Sequence, residues 1–117
     1  MIPIASRPAS SDEQGVIKRA LEAASAGSAN LARLKRQISG LRIVARCECG
    51  CASVKFAASP GTPRAHVVAD ALAKTTAGNT VGVMVWATDD ELTGLEVYSM
   101  SAPNDASLPT PDSVNRW

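Results

Sequence analysis

Three cysteines stand at alternate positions in one short stretch, Cys47-Glu48-Cys49-Gly50-Cys51. Zinc favours thiolate ligands, and sulfur atoms that share one zinc ion must lie within roughly 4 Å of one another. On a straight strand, residues four apart are separated by about 13 Å, so only a tight turn through Gly50 could gather all three. Metal binding and thiol redox chemistry are therefore two hypotheses for this stretch. The sequence favours a third, structural thiols in a reducing compartment.

His66, the single histidine, and Asp70 are the candidates for a fourth metal ligand, but both lie far along the chain from the cysteines. Nucleophilic catalysis would need the histidine beside a nucleophile and an orienting carboxylate, and nothing in the sequence brings these groups together. We therefore predict a protein that is not an enzyme, with no catalytic residue, no cofactor and no bound metal. The metal candidates that the sequence offers, without favouring them, are Cys47, Cys49, Cys51 and His66.

A helix is predicted at the start of the folded part of the chain. Ser10 with Glu13, or Ser11 with Gln14, has the spacing of a capping box. Apolar residues then recur at helical intervals, and Gly27 is expected to end the helix.

A second, shorter helix is predicted after Ser28, with its end at Gly40. Residues 1–10 contain prolines and small polar residues and are expected to form a loose leader. The single domain is expected to span residues 11–100, and residues 101–117 to form a proline-rich tail. A chain of 117 residues has room for one domain.

Beyond Gly40 the apolar period changes to two, which is typical of half-buried strands. The alternating runs that begin at Leu41 and at Ala52 are predicted to form a hairpin around the cysteines, with a loop of two or four residues rather than three. That register places seven side chains on one face: Leu41, Ile43, Ala45, Cys47, Ala52, Val54 and Phe56. Residues 66–76 fit either a helix or a strand, and we predict a strand.

The last predicted hairpin turns at Asp89-Asp90. Extending the register of this turn puts four large apolar residues on one face: Met84, Trp86, Leu95 and Val97. Tyr98 is placed on the opposite face. Two short helices cover only one face of a sheet, so these four residues are expected to form an interface, unless the tail covers them.

Composition limits the classes of partner. Twelve basic and eleven acidic residues give a net charge of +1, without the positive excess typical of nucleic-acid binders. No stretch approaches the roughly 20 apolar residues that span a bilayer, and the first residues lack the pattern of a signal peptide. We therefore expect a cytoplasmic protein with no nucleic-acid or membrane partner.

Several of these motifs together resemble a group of small bacterial proteins of uncharacterised activity. That group combines a C-x-C-G-C hairpin, a D-G turn, an L-E-V-Y strand and a proline-rich end. The residues of this chain that carry the resemblance are 46–54, 81–85, 95–99 and 108–111. The resemblance covers about residues 41–114 and supports a strand over 66–73. The group commonly has Asp-Gly where this chain has Asp89-Asp90. No activity is known for the group, so no functional residue is implied.

The predicted fold is α+β, with N-terminal helices packed on one face of an antiparallel sheet of about five strands. The leading hypothesis for function is a non-enzymatic protein-binding module. Toxin-neutralising immunity proteins are one such class, and the comparison with them is by analogy only. The partner of such a module would be another protein or a second copy of the chain. The alternative is a metal-binding or thiol-redox protein that uses the Cys47, Cys49 and Cys51 hairpin.

Overall fold

The computed structural model of the chain describes residues 1–24, 29–61, 64–101 and 104–116. Within these residues the chain forms two α-helices, α1 (Ser11–Ala24) and α2 (Ala29–Gln37). The strands are β1 (Ile2–Pro8), β2 (Arg42–Arg46), β3 (Val54–Phe56), β4 (His66–Lys74), β5 (Thr80–Ala87), β6 (Leu92–Ser99) and β7 (Asn115–Arg116). Short 3-10 turns at Ile38–Gly40 and Pro111–Ser113 complete the described secondary structure. Neither helix is long and apolar enough to cross a membrane.

All the strands join one antiparallel sheet in the order β1-β2-β3-β6-β5-β4-β7. Helix α1 packs against β4 and β5 on one face, and α2 follows it. The α+β prediction is confirmed, and so is the strand predicted over residues 66–76. The sheet is wider than the predicted five strands because both ends of the chain add an edge strand.

The hydrophobic core lies between α1 and the sheet. Its central members are fully buried: Val16, Ile17, Ala20 and Leu21 from the helix, with Val81, Val83, Val85, Leu95 and Val97 from the sheet. Strand β4 contributes small side chains, Ala69, Ala71 and Ala73, which allow the helix backbone to approach the sheet closely. The core is therefore largely aliphatic, and Phe56 contributes a fully buried aromatic ring to it.

The first helix starts with the capping box of Ser10 and Glu13, the first of the two predicted alternatives. Ser10 Oγ accepts a hydrogen bond from the Glu13 N–H at 3.1 Å, and Glu13 Oε1 accepts one from the Ser10 N–H at 2.9 Å. Arg7 also donates to both carboxylate oxygens, at 2.8 and 3.0 Å. Burial raises the pKa of Glu13, but these hydrogen bonds outweigh it and hold the pKa below its usual value. The predicted helix end at Gly27 lies outside the described residues.

The prediction of a loose leader over residues 1–10 was wrong. Ile2 pairs with Arg46 and Pro8 with Arg42, so β1 is an edge strand along β2. Proline is compatible with this position because an edge strand needs hydrogen bonds on one side only. The irregular register between Pro3 and Arg7 accommodates the remaining mismatch.

The proline-rich tail is held against the domain. The Ala52 N–H donates to Ala106 O at 2.9 Å, and the Thr110 N–H donates to Lys74 O at 3.1 Å. A Cβ at Gly15 of α1 would lie 2.9 Å from the Pro111 ring, so the tail packs directly on the helix. The last residues then pair with β4 as β7.

The β5–β6 hairpin turns at Asp89-Asp90 as predicted, with Ala87 opposite Leu92. One residue later the register shifts, and Trp86 lies opposite Gly94. A bulge of this kind leaves one residue, here Thr93, unpaired and moves every later side chain to the other face.

The predicted face of the last hairpin was therefore wrong. Leu95 lies opposite Val85 and Val97 opposite Val83, and both are buried in the helix-covered core with exposed fractions of 1% and 2%. Tyr98 shares the open face of the sheet with Met84 and Trp86, and all three are half-buried.

Candidate metal centre

Residues 47–51, the cysteine loop, reverse the chain between β2 and β3. The Cys47 N–H donates to Ser53 O at 3.1 Å, and the Gly50 N–H donates to Cys47 O at 3.3 Å. Gly50 has φ of +87°, a left-handed conformation that favours glycine. The chain thus makes the tight turn that gathering the three thiols requires.

The register at the base of this loop differs from the predicted one. Arg46 pairs with Val54, which corresponds to an odd-numbered loop, and a register shift between Ile43 and Ala45 then brings Ile43 opposite Phe56. The prediction of an even loop was wrong next to the cysteines, and right only beyond the bulge. Cys47 is half-buried and lies outside the hydrophobic cluster, so its predicted place in the core was also wrong.

Ser53 anchors the loop to the neighbouring strand. Its hydroxyl accepts a hydrogen bond from the Val97 N–H at 2.9 Å and donates one to Val97 O at 3.2 Å. The serine side chain thus continues the hydrogen bonding between β3 and β6 beyond the paired residues. Because Ser53 is buried, the base of the cysteine loop has a defined position on the sheet.

The three sulfur atoms converge at the turn. All lie within 4.8 Å of one another, and the Cys47 and Cys49 Sγ atoms are 2.7 Å apart. The Cys51 N–H points at Cys49 Sγ, at 3.4 Å. None of these thiols is buried, since Cys49 is exposed and the other two are half-buried. Shifts below about 1 Å would bring the sulfurs to the roughly 4 Å spacing of a shared zinc ion.

Hydrogen bonds among the three thiols shift the pKa values of Cys49 and Cys51 in opposite directions. Hydrogen bonds to Cys47 and then Cys51 raise the pKa of Cys49 to about 11. Burial raises the pKa of Cys51, but hydrogen bonds from Cys49 and Ser53 outweigh it and lower the pKa to about 7. Without metal, Cys51 is therefore about half ionised near neutral pH, whereas Cys49 stays protonated.

Alkylation of the metal-free protein should show this difference. The iodoacetamide reaction of Cys51 is expected to fall to half its maximal rate near pH 7, because the protonated thiol is unreactive below its pKa. Cys49 should become reactive only in much more alkaline solution. Mass spectrometry of peptides from samples quenched across pH measures both rates. Equal profiles for the two residues would contradict the hydrogen-bond pattern.

A cavity of about 660 Å³ opens beside the cysteine loop, and Met1, Glu96, Tyr98 and Asp105 are on its wall. Asp105 already accepts hydrogen bonds from Asn79 at 2.8 Å and from Thr75 and Ser107, which hold its pKa below the usual range. The Tyr98 hydroxyl donates to Asp70 at 3.3 Å. The wall side chains that could add a ligand are therefore Met1 and Glu96.

The sequence did not indicate these two wall residues. Met1 lies next to the cysteines because Ile2 pairs with Arg46. This pairing was not predicted because residues 1–10 were expected to form a loose leader. The bulge in β6, which was not predicted from the sequence, is what puts Glu96 on the open face opposite Met84. An alternating strand pattern could have indicated the position of Met1, but not that of Glu96.

The structure does not bring the other metal candidate to the cysteines. His66 pairs with Ala87, which also lies opposite Leu92 at the start of β6. The cysteine loop is anchored at Val97, near the end of the same strand. His66 thus lies at the opposite end of the sheet from the three thiols.

The predicted interface is divided between the two faces of the sheet. Met84 and Trp86 lie on the open face, whereas Leu95 and Val97 are in the core. A binding surface would have to be built from Met84 and Trp86 with Tyr98 rather than from the original four residues. The partner itself, protein or second copy, stays a prediction.

Comparison with protein-family models, with curated proteins and with solved structures gave no match to this chain.

Proposed function

We propose that the protein binds a thiophilic d10 cation, with Zn²⁺ as the test ion, through the thiolates of Cys47, Cys49 and Cys51. The observation that carries this proposal is the convergence of three sulfur atoms within 4.8 Å on one five-residue turn. Unreactive structural cysteines are normally buried, and none of these three is. Thiolates are the ligands that zinc and other soft cations prefer.

The site is suited to exchange of its ion rather than to holding the fold together. Structural zinc sites are closed by four protein ligands, whereas this loop supplies three and faces an open cavity. The hydrophobic core forms between α1 and the sheet and includes none of the cysteines. An incoming ligand can therefore reach the ion without unfolding the domain, as a metal carrier or sensor requires.

The charges around the loop fit a bound cation with three thiolates. Three thiolates and one divalent ion carry a net charge of −1. The Arg46 guanidinium donates to the Cys47 carbonyl at 3.4 Å, which places a positive charge at the base of the loop. This charge offsets part of the negative charge of the loaded site.

Native mass spectrometry under reducing, oxygen-free conditions tests the proposal. We expect one zinc ion per chain in the wild type and none in the Cys47→Ser/Cys49→Ser/Cys51→Ser variant, because hydroxyls replace all three thiolates. The His66→Ala variant is the matched control and should keep its ion, since that residue lies at the far end of the sheet. An apo wild type at saturating zinc, or a triple variant that retains the ion, would refute the proposal. Circular dichroism checks that each variant is folded.

A further inference from the structure

The loop also has the geometry of a dithiol that can be oxidised. We infer that the metal-loaded loop undergoes thiol–disulfide exchange with a small-molecule disulfide, which forms a Cys47–Cys49 disulfide and releases the bound ion. This inference concerns the regulation of the proposed metal site and rests on it. Its ligand class is a low-molecular-weight disulfide, and glutathione disulfide is the probe.

The positions of the sulfurs select the pair that reacts. Cys47 and Cys49 Sγ are 2.7 Å apart, and a disulfide needs about 2.05 Å, so little movement closes the bond. Cys49 is the exposed member of the three and the one that an external disulfide reaches first. The Cys51 sulfur lies within 4.8 Å of the other two, and the Cys51 N–H also donates to Cys49 Sγ at 3.4 Å. The 2.7 Å contact between sulfurs joins Cys47 to Cys49, which makes these two the pair that reacts.

The exchange proceeds in two displacements. The Cys49 thiolate attacks one sulfur of the external disulfide, the S–S bond of that molecule breaks, and one small thiolate leaves. Cys47 then attacks Cys49 Sγ in the mixed disulfide and expels the second small thiolate. Two cysteine thiolates are oxidised by two electrons, which reduce the external disulfide to two thiolates. No other oxidant is needed.

Oxidation would empty the site because it removes two of its three ligands. A disulfide sulfur carries no negative charge and is a poor ligand, so Cys51 alone would remain to hold the ion. The adjacent cavity of about 660 Å³ gives the external disulfide access to the loop. Reduction by an excess of small thiol would regenerate the three thiolates and the binding site.

The test adds glutathione disulfide to the zinc-loaded wild type without oxygen, with a chromophoric zinc indicator present. We expect one zinc ion released and two glutathione thiols formed per chain, with a chain mass that is lower by two hydrogens relative to the reduced protein. Fragmentation should place the bond between Cys47 and Cys49, with Cys51 open to alkylation. In alkaline solution, zinc-free Cys51→Ser should close the same disulfide. The Cys47→Ser/Cys51→Ser variant, which has no second thiol within 4.8 Å, should stop at a glutathionyl adduct on Cys49.

The outcomes separate this inference from the metal proposal. A wild type that binds zinc but keeps both its zinc and its reduced mass in glutathione disulfide would overturn the inference alone. A bond that consistently includes Cys51, or a Cys51→Ser variant that stops at the adduct, would also overturn it. If the wild type binds no zinc at all, the proposed function fails, and the release step fails with it.

Discussion

Replacing Leu95 with alanine is expected to lower the free energy of unfolding by about 2–5 kcal/mol, the range for truncating a fully buried leucine. Leu95 is 1% exposed and lies opposite Val85, on the helix-covered face of the sheet. The cavity left by the lost methyl groups would be bounded by sheet and helix, neither of which can collapse freely into it. Urea denaturation followed by circular dichroism measures the change.

The neighbouring residue provides the control. Glu96 follows Leu95 in β6 and points to the open face, so Glu96→Ala should change stability by less than about 0.5 kcal/mol. If the strand had the register of the Asp89-Asp90 turn throughout, Leu95 would be outside and Glu96 inside. If Leu95→Ala changed the free energy of unfolding only slightly and Glu96→Ala lowered it strongly, the bulge after Leu92 would not be present.

Local signals in the sequence predicted most of the individual elements. The capping box of Ser10 and Glu13 identified the start of α1, and the period of two identified four of the central strands. The turn at Asp89-Asp90 was also correct. Each of these features depends on residues that are close together in the chain.

The wrong predictions have a common physical cause. Each concerns how one strand pairs with another, which the local sequence pattern does not determine. A bulge inserts one unpaired residue, and β6 is apolar enough on both faces that neither register is excluded by its pattern. The edge strand β1 depends on pairing Ile2 with Arg46, more than 40 residues away. Prolines at positions 3 and 8 argued against a strand because only an edge tolerates them.

The candidate site was recognised in the sequence, but the position of Cys47 was predicted incorrectly. The three alternating cysteines form an unusual motif, but the predicted even-numbered loop placed Cys47 in the core. The observed odd loop turns at Gly50 and leaves the thiols at the surface, where their sulfurs meet. The site thus depended on a one-residue difference in register that the alternating pattern could not resolve.

Removing a single thiol should have a large effect on metal affinity. We expect Cys51→Ser to weaken zinc binding by roughly 100-fold or more, since changes even to groups that only support a ligand cost about 10- to 100-fold. Asn104→Ala, at an exposed position on the same cavity wall, is the control and should leave the affinity unchanged. Competition with a chromophoric chelator at fixed pH gives both values.

The same affinity should depend on pH in a defined direction. Zinc must displace the protons from three thiols, one with a pKa of about 7 and another with a pKa of about 11 in the free protein. Affinity should therefore rise as pH increases through 7 and continue to rise in alkaline solution. An affinity that does not change between acidic and alkaline solution would mean that thiolates are not the ligands.

Cobalt substitution tests the metal site most directly, because the absorption of Co²⁺ reports which atoms are bound to it. One equivalent of Co²⁺ added to the reduced, oxygen-free protein should produce thiolate-to-cobalt charge-transfer absorption with the intensity of three thiolates. Each single cysteine-to-serine variant should lose the share of one thiolate, and the triple variant should lose the whole band. A wild type that shows no charge-transfer band at saturating Co²⁺, or an unchanged band in the triple variant, would contradict metal binding by Cys47, Cys49 and Cys51.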